Sequence, residues 1–372
     1  MTLGLLPALG GGLTELASTG QAGRLLDGYL ARYVKVFDRV FYFSYRVESL
    51  AEFSRDPALL AHAEVIAPAR PLSRGRRAAT LAWTEAARLR RCAVLRVFQV
   101  TGTVPALAAH ARFGVPYVTT YGFSYAQLSR RGPTRLLKAA VERLGLRRAA
   151  AVIATTEALR ARAARVNPRV ELVPNGVDTD RFAPPSGGRR PGAPARVLYV
   201  GRFSAEKNLE SLVAAAADLT RRRPLRLLLV GAGPLEARLR EQARAAGVET
   251  DFRGVVPQER LPEIYREADA FVLASFTEGH PKVVIEAMAA GVPVVASDCE
   301  GNRSLVSDGV TGLLFDPHRP ADLADRLGRV LGDEALAERL RRAGRALAVD
   351  RYDLGRLVGT EIALLTRVAG AV

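Results

Sequence analysis

Two cations and two carboxylates in the second half of the chain have spacings that suit recognition of anions and sugars. Arg202 and Lys207 lie in Gly201-Arg202-Phe203-Ser204-Ala205-Glu206-Lys207-Asn208, between the end of an apolar strand signal and the start of a helical one. Such a junction offers free backbone N–H groups and the positive end of a helix dipole. Arg grips a phosphate through two N–H groups, and Lys adds a mobile point charge. Two solvated loop cations are the plain alternative. A second junction, Ser275-Phe276-Thr277-Glu278-Gly279-His280-Pro281-Lys282, has a glycine that lets a ligand approach the backbone and a proline suited to a first helical turn. Its N–H groups could meet phosphate or sugar hydroxyls. Glu286 follows Glu278 about one turn into the helix. A carboxylate placed there can accept from two vicinal ribose hydroxyls, each bond worth about 1.5–3 kcal/mol. Use of Glu278 and Glu286 as a glycosidase acid and nucleophile is disfavoured, because nearby cations resist protonation of either one.

The elements that must position these residues alternate. In the second half, Arg196–Val200, Leu225–Val230, Asp251–Gly254, Ala270–Ala274 and Pro293–Ser297 read as strands. Helices are expected from Leu209 to about Arg222, capped by Asn208, and from Lys282 to Ala290. Leu225–Val230 is apolar apart from Arg226, the pattern of a parallel strand buried on both faces. The first half repeats the pattern less regularly, with strands at Leu3–Leu6, Val40–Ser44, Leu95–Val100, Val115–Thr119 and Ala151–Ala154. Helices over Arg77–Arg91 and Arg135–Arg148 lie between them. Repeated units of this kind predict doubly wound parallel sheets. The Pro/Gly-rich stretch from Pro184 to Pro194 marks a boundary, giving domains 1–185 and 186–372, with the last helix able to pack back on the first.

Composition narrows the chemistry. The chain has 372 residues, 48% hydrophobic and 25% charged, which suits two globular domains. No apolar run is long enough to span a bilayer, and Met1 to Leu9 reads as a short buried strand rather than a signal peptide. Cys92 and Cys299 are far apart and the four histidines form no ligand-spaced pair, so neither a disulfide framework nor a metal site is expected. A reducing cytoplasm fits. The net charge is +16, and residues 1–185 hold most of it, 27 Lys+Arg against 13 Asp+Glu. That half is either a basic solvated surface or a face for something anionic, a membrane or a phosphate-bearing acceptor. No nucleic-acid signature accompanies it.

These motifs together resemble a family. Gly201–Asn208, the run Phe276–Ser297 with its E-x7-E pair and its continuation Glu286-Ala287-Met288-Ala289-Ala290-Gly291-Val292-Pro293, Pro174-Asn175-Gly176-Val177-Asp178, and Asp308-Gly309-Val310-Thr311-Gly312-Leu313-Leu314 look like the retaining GT-B glycosyltransferases of family 4, or glycosyltransferase group 1. The resemblance implies two Rossmann-like domains facing each other across a cleft. It also implies a metal-independent hexosyltransferase whose nucleotide diphosphate sugar is a substrate, with no cofactor. Arg202 and Lys207 would contact the donor diphosphate and Glu286 the ribose. Glu278 and Gly279, His280, Pro281 and Lys282 would surround sugar and phosphate, with Val256 beside the base. Gly11 and Gly12, in a glycine run after the first strand, would approach donor phosphate and acceptor.

One position departs from the family. Many relatives have His-Gly beside the reacting sugar where this chain has Tyr121-Gly122. A phenol is a poor base near neutral pH, so Tyr121 and Tyr125 are left as substrate-positioning residues or ordinary aromatics. The acceptor is expected to be a glycan or lipid-linked, in cell-envelope or polysaccharide assembly at the cytoplasmic membrane face. A nucleotide-sugar epimerase or hydrolase of the same fold, or a non-catalytic binding protein, are the alternatives.

Overall fold

The structure is a computed structural model that describes residues 1–123, 133–184 and 194–371; Tyr125 and most of the Pro/Gly-rich stretch lie outside them. The chain forms two compact units, Met1–Pro174 with Gly355–Val372, and Asn175–Leu354.

The first unit is built on a seven-stranded sheet: β1 (Thr2–Leu6), β2 (Arg39–Phe43), β3 (Ala63–Ile66), β4 (Val94–Val97), β5 (Tyr117–Tyr121), β6 (Ala151–Ala154) and β7 (Val170–Leu172). The order is β3-β2-β1-β4-β5-β6-β7 and every pairing is parallel. The second unit has six strands: β8 (Ala195–Val200), β9 (Leu225–Val230), β10 (Glu249–Gly254), β11 (Ala270–Leu273), β12 (Val294–Ser297) and β13 (Leu313–Phe315). They are again all parallel, in the order β10-β9-β8-β11-β12-β13. In each sheet the order reverses once, between β1 and β4 and between β8 and β11. Ligands of open α/β sheets bind at the carboxyl ends beside such a reversal. The loops after β8 and β11 carry the two motifs, so the strand order sets them side by side although many residues separate them.

The division between units falls after Pro174, ahead of the expected boundary at 185. The reason is hydrophobic. Phe182 is buried in the second unit with its ring 5.7 Å from that of Tyr265, and Val177 bridges to Asp353. A Pro/Gly-rich composition marks a stretch without periodicity; it does not mark where the chain joins a new core. The helix Leu354–Gly370 returns to the first unit, where Arg96 on β4 donates to both oxygens of Glu361 at 2.7 and 2.9 Å. The hydroxyl of Tyr33 donates to the same carboxylate.

Asn208 stands at the start of the helix Leu209–Thr220, but it is left-handed (φ 54°) and makes no side-chain cap. Its Oδ1 accepts from Ser211 and its Nδ2 donates to the Pro317 carbonyl. Pro281 sits one position earlier than a first-turn residue, at the cap of Lys282–Ala289. The helix expected over 77–91 breaks at Glu85 into Arg74–Thr84 and Ala86–Leu89.

Candidate functional site

Tight glycine contacts shape the ends of β8 and β9. A Cβ on Gly231 (φ 132°) would lie 1.9 Å from the Gly201 carbonyl oxygen, and one on Gly233 would lie 2.3 Å from that of Phe203. Only glycine lets these loops lie backbone to backbone. Tyr199, the penultimate residue of β8, is fully buried and donates to the Arg202 carbonyl at 2.9 Å. Burial first, then the charges of Glu278 and Glu206, raise its phenol well above the usual range, while Arg202 opposes them. Arg202, Glu206 and Glu278 are thus gathered around one hydroxyl. The Arg202 side chain is exposed.

Lys207 joins the two motif loops. Its Nζ donates to Glu278 Oε1 at 2.6 Å, with side chains 21% and 13% exposed. Ser275, at the start of the loop after β11, donates to the same oxygen at 2.6 Å. The Phe276 N–H donates to the Glu206 carbonyl at 2.9 Å, a second tie between the loops. Beneath them, Gly301 packs so closely that a Cβ there would lie 2.5 Å from the Glu278 carbonyl oxygen and 2.7 Å from that of Gly279.

Glu286 lies deeper than an open ribose carboxylate would. It is 2% exposed, with Gln258 Nε2 donating to Oε1 and the Tyr265 hydroxyl to Oε2, both at 3.0 Å. Gln258 is two residues past the half-buried Val256, so it joins the β10 loop to the Glu286 helix. A cavity of about 710 Å³ opens on the flank of the β11 loop, lined by Phe276, Thr277, Glu300, Arg303 and His318 among others. Arg202, Lys207, Glu278 and Glu286 are not in its lining. Among the described residues no group of three or more His, Cys, Asp or Glu side chains is arranged to hold a metal ion.

Three of the expected contact residues have surroundings that the sequence did not show. The His280 ring turns inward: it is 8% exposed, stacks edge-on against Tyr352 at 5.5 Å, and its Nδ1 has no hydrogen-bond partner among the described residues. Its carbonyl accepts from Asn175 at 2.8 Å, so the residue meets its surroundings through its backbone. Tyr121 is fully buried at the end of β5, where its hydroxyl donates to Glu142 at 3.0 Å. In the glycine loop of the first unit, the N–H groups of Leu13 and Thr14 are held by Glu48 at 2.7 and 2.8 Å. Burial opposes ionisation of Glu48, but bonds from Ser44, Thr14 and Leu13 outweigh it and hold the carboxyl below its ordinary range. Gly12 leaves the room: a Cβ would lie 2.8 Å from Glu48 Oε1. The Leu13 and Thr14 amides that follow Gly11 and Gly12 are therefore already taken by an internal anion.

The buried His280 predicts a pH effect. Burial, then the Lys282 charge, lowers its pKa from 6.5 to about 4. Between these values the unfolded chain binds the proton and the folded one does not. The contribution to stability is complete above pH 6.5 and is lost as pH falls toward 4, by about 3 kcal/mol. Urea unfolding of wild type and of His280→Phe should therefore show the wild type losing more stability over that range; parallel curves would refute the neutral buried ring.

Residues 185–347 match the family of glycosyl transferases group 1, and residues 30–181 match glycosyltransferase family 4. The chain belongs to glycosyltransferase family 4. Within the family it is similar to D-inositol 3-phosphate glycosyltransferase of Nocardia farcinica, 42% identical over 48% of this chain and 43% of that protein. It is also similar to alpha-D-kanosaminyltransferase of Streptomyces kanamyceticus, 34% identical over 47% and 46%. Glycogen synthase of Mycobacterium tuberculosis matches at 37% over 50% and 45%. The matches span less than half the length of these relatives. Sucrose-phosphate synthase of Thermosynechococcus elongatus superposes over the whole of both chains with a TM-score of 0.81 at 24% identity. Anabaena HepE in complex with UDP does so at 0.76 and 19%, covering 99% of this chain. The fold is GT-B, with two Rossmann-like domains. Sequence reasoning missed Tyr199, Ser275 and Gln258. Ser275 alone carried a signal, as a hydroxyl directly after an apolar strand.

Proposed function

We propose that this chain moves a sugar from a nucleoside diphosphate sugar to a hydroxyl of a glycan or lipid-linked acceptor, with retention of configuration and without a divalent metal. The observation that carries the reading is the bond from Lys207 to Glu278, which joins two sequence-distant loops beside the exposed Arg202. Arg202 and Lys207 would neutralise the departing diphosphate, charge stabilisation that a preformed site supplies without reorganisation. Glu278 and the N–H groups of Gly279, His280 and Lys282, at the loop closed by Pro281, would hold the sugar. Glu286, steadied by Gln258 and Tyr265, would accept from the ribose, with Val256 beside the base. The bond from the anomeric carbon to the diphosphate oxygen breaks. The acceptor oxygen bonds to that carbon on the same face, and its proton passes to the departing phosphate oxygen.

HepE has been solved with UDP and with UDP-glucose, so uridine donors are the first to test. The relatives' names mention unlike products, which leaves acceptor choice to experiment. A thermal-shift panel of UDP, GDP and ADP sugars should single out one base. A donor at a hundredfold excess over its Kd stabilises by about 2.7 kcal/mol. Transfer with that donor should then give a product whose anomeric coupling matches it. Absence of any nucleotide shift would overturn the reading, and conversion at equal speed without acceptor would replace it with an epimerase or hydrolase.

A further inference from the structure

We propose that the outer face of the helix Pro133–Arg148 docks this protein on an anionic lipid bilayer. The inner face is fixed to the first unit. Gly145 packs on the neighbouring helix Thr103–Phe113 so closely that a Cβ would lie 2.6 Å from Thr103 Oγ1. The Tyr117 hydroxyl donates to the Gly145 carbonyl at 2.6 Å, and Asn167 to that of Leu146 at 2.8 Å. What this seat leaves outside is apolar. Leu136, Leu137 and Leu144 are 74%, 67% and 46% exposed.

Single exposed leucines are ordinary on a protein surface; three on one helix face are not. Positions 136 and 144 are two four-residue steps apart, and 137 lies next to that stripe. Arg143, Arg147 and Arg148 are exposed beside it. The helix has one carboxylate, Glu142, which is buried and takes the Tyr121 hydroxyl. Its outward charge is therefore of one sign. A protein groove presents discrete partners of mixed sign, whereas an anionic leaflet presents a uniform negative plane over hydrocarbon. That plane is complementary to an apolar stripe edged only by arginine. Trp83 is a further exposed aromatic of the same unit. It is 58% exposed on the helix Arg74–Thr84, which also packs on Thr103–Phe113, and the Arg112 guanidinium lies 5.3 Å from its ring. Aromatic rings of this kind settle at the headgroup level.

This surface stands on exposure and charge alone and goes beyond the transfer reaction, so vesicle binding and sugar transfer are scored separately. The full chain is sedimented with vesicles of phosphatidylcholine, and with equal parts phosphatidylcholine and phosphatidylglycerol. Binding is expected only to the second, and to fall as salt rises. Each basic side chain near an anionic leaflet multiplies binding by about fivefold, so R143Q/R147Q/R148Q should lose about a hundredfold. L136S/L137S/L144S should lose at least about tenfold with every charge intact. Leu136→Ser alone replaces the triple variant if that variant loses its native melting transition. Transfer to a water-soluble acceptor should be unchanged in all of them. The proposal is overturned if the leucine variants bind like the parent, if pure phosphatidylcholine binds equally well, or if the parent is a dimer that these substitutions dissociate.

Discussion

Lys207→Ala is expected to slow sugar transfer by about 10²- to 10³-fold, the usual cost of removing one preorganised donor from the charge that develops in a transition state. Two features make this residue the decisive one. Its ammonium lies at the meeting of the β8 and β11 loops, 2.6 Å from Glu278, and it keeps two further N–H donors for a diphosphate. The pair is also partly sheltered, with side chains 21% and 13% exposed, so solvent screens it less than a surface pair. The loss should fall mainly on kcat, because the diphosphate gains its extra charge only as the glycosidic bond breaks. Without the ammonium, Glu278 keeps the Ser275 hydroxyl and remains a negative charge beside the donor. The double variant Lys207→Ala/Glu278→Gln should therefore lose less than the sum of the two single effects. Steady-state kinetics of the four proteins measure this coupling. A Lys207→Ala enzyme within tenfold of wild type would remove the lysine from the reaction.

The main outline of both sheets was legible because central strands of a parallel sheet are buried on both faces. Leu227–Val230 and Ala270–Leu273 read as unbroken apolar runs for that reason. The strands that sequence reading missed are the edges. Ala63–Ile66 and Val170–Leu172 each contain a glutamate and are half-exposed, and Leu313–Phe315 has only three residues. An edge strand is buried on fewer sides, so its sequence lacks the run that would announce it.

The candidate site divides in the same way. Lys207, Glu278 and Glu286 stood out because charged residues at strand-to-helix junctions are rarely there for packing. Their partners did not stand out. Gln258, Tyr265 and Tyr199 act through single hydrogen bonds from positions that follow ordinary strand or helix patterns, and only the strand order brings them in. Buried histidine and tyrosine are the opposite case. His280 and Tyr121 are polar residues in motif positions, yet their rings are core. The basic excess of the first half was also read too simply, since Arg77 and Arg96 are internal. Arg77 is tied to Glu85 and Thr84, and Arg96 to Glu361.

That last ion pair supports the second large prediction. Leu354, Val358, Glu361, Leu365 and Val368 are all buried, at the three- and four-residue spacing of one helix face. A carboxylate in an apolar stripe must have a buried partner, and Arg96 with Tyr33 supplies it. Burial works against the Arg96 charge, but Glu361 more than offsets it and raises the guanidinium above its usual range. Glu361→Ala would leave that charge uncompensated inside the first unit. A broken buried pair costs about 3–5 kcal/mol, or a fall in Tm of roughly 10 °C for a unit of this size. Replacing both partners with apolar residues, as in R96M/E361L, should recover most of the loss, because the desolvation cost disappears together with the attraction. The second unit contains neither residue, so a donor-induced thermal shift should survive in the single variant even as the first unit melts earlier. Calorimetry of the three proteins decides the matter. Glu361→Ala melting within a degree or two of wild type would mean that the last helix is held to the first unit by its leucines and valines, with the ion pair contributing nothing.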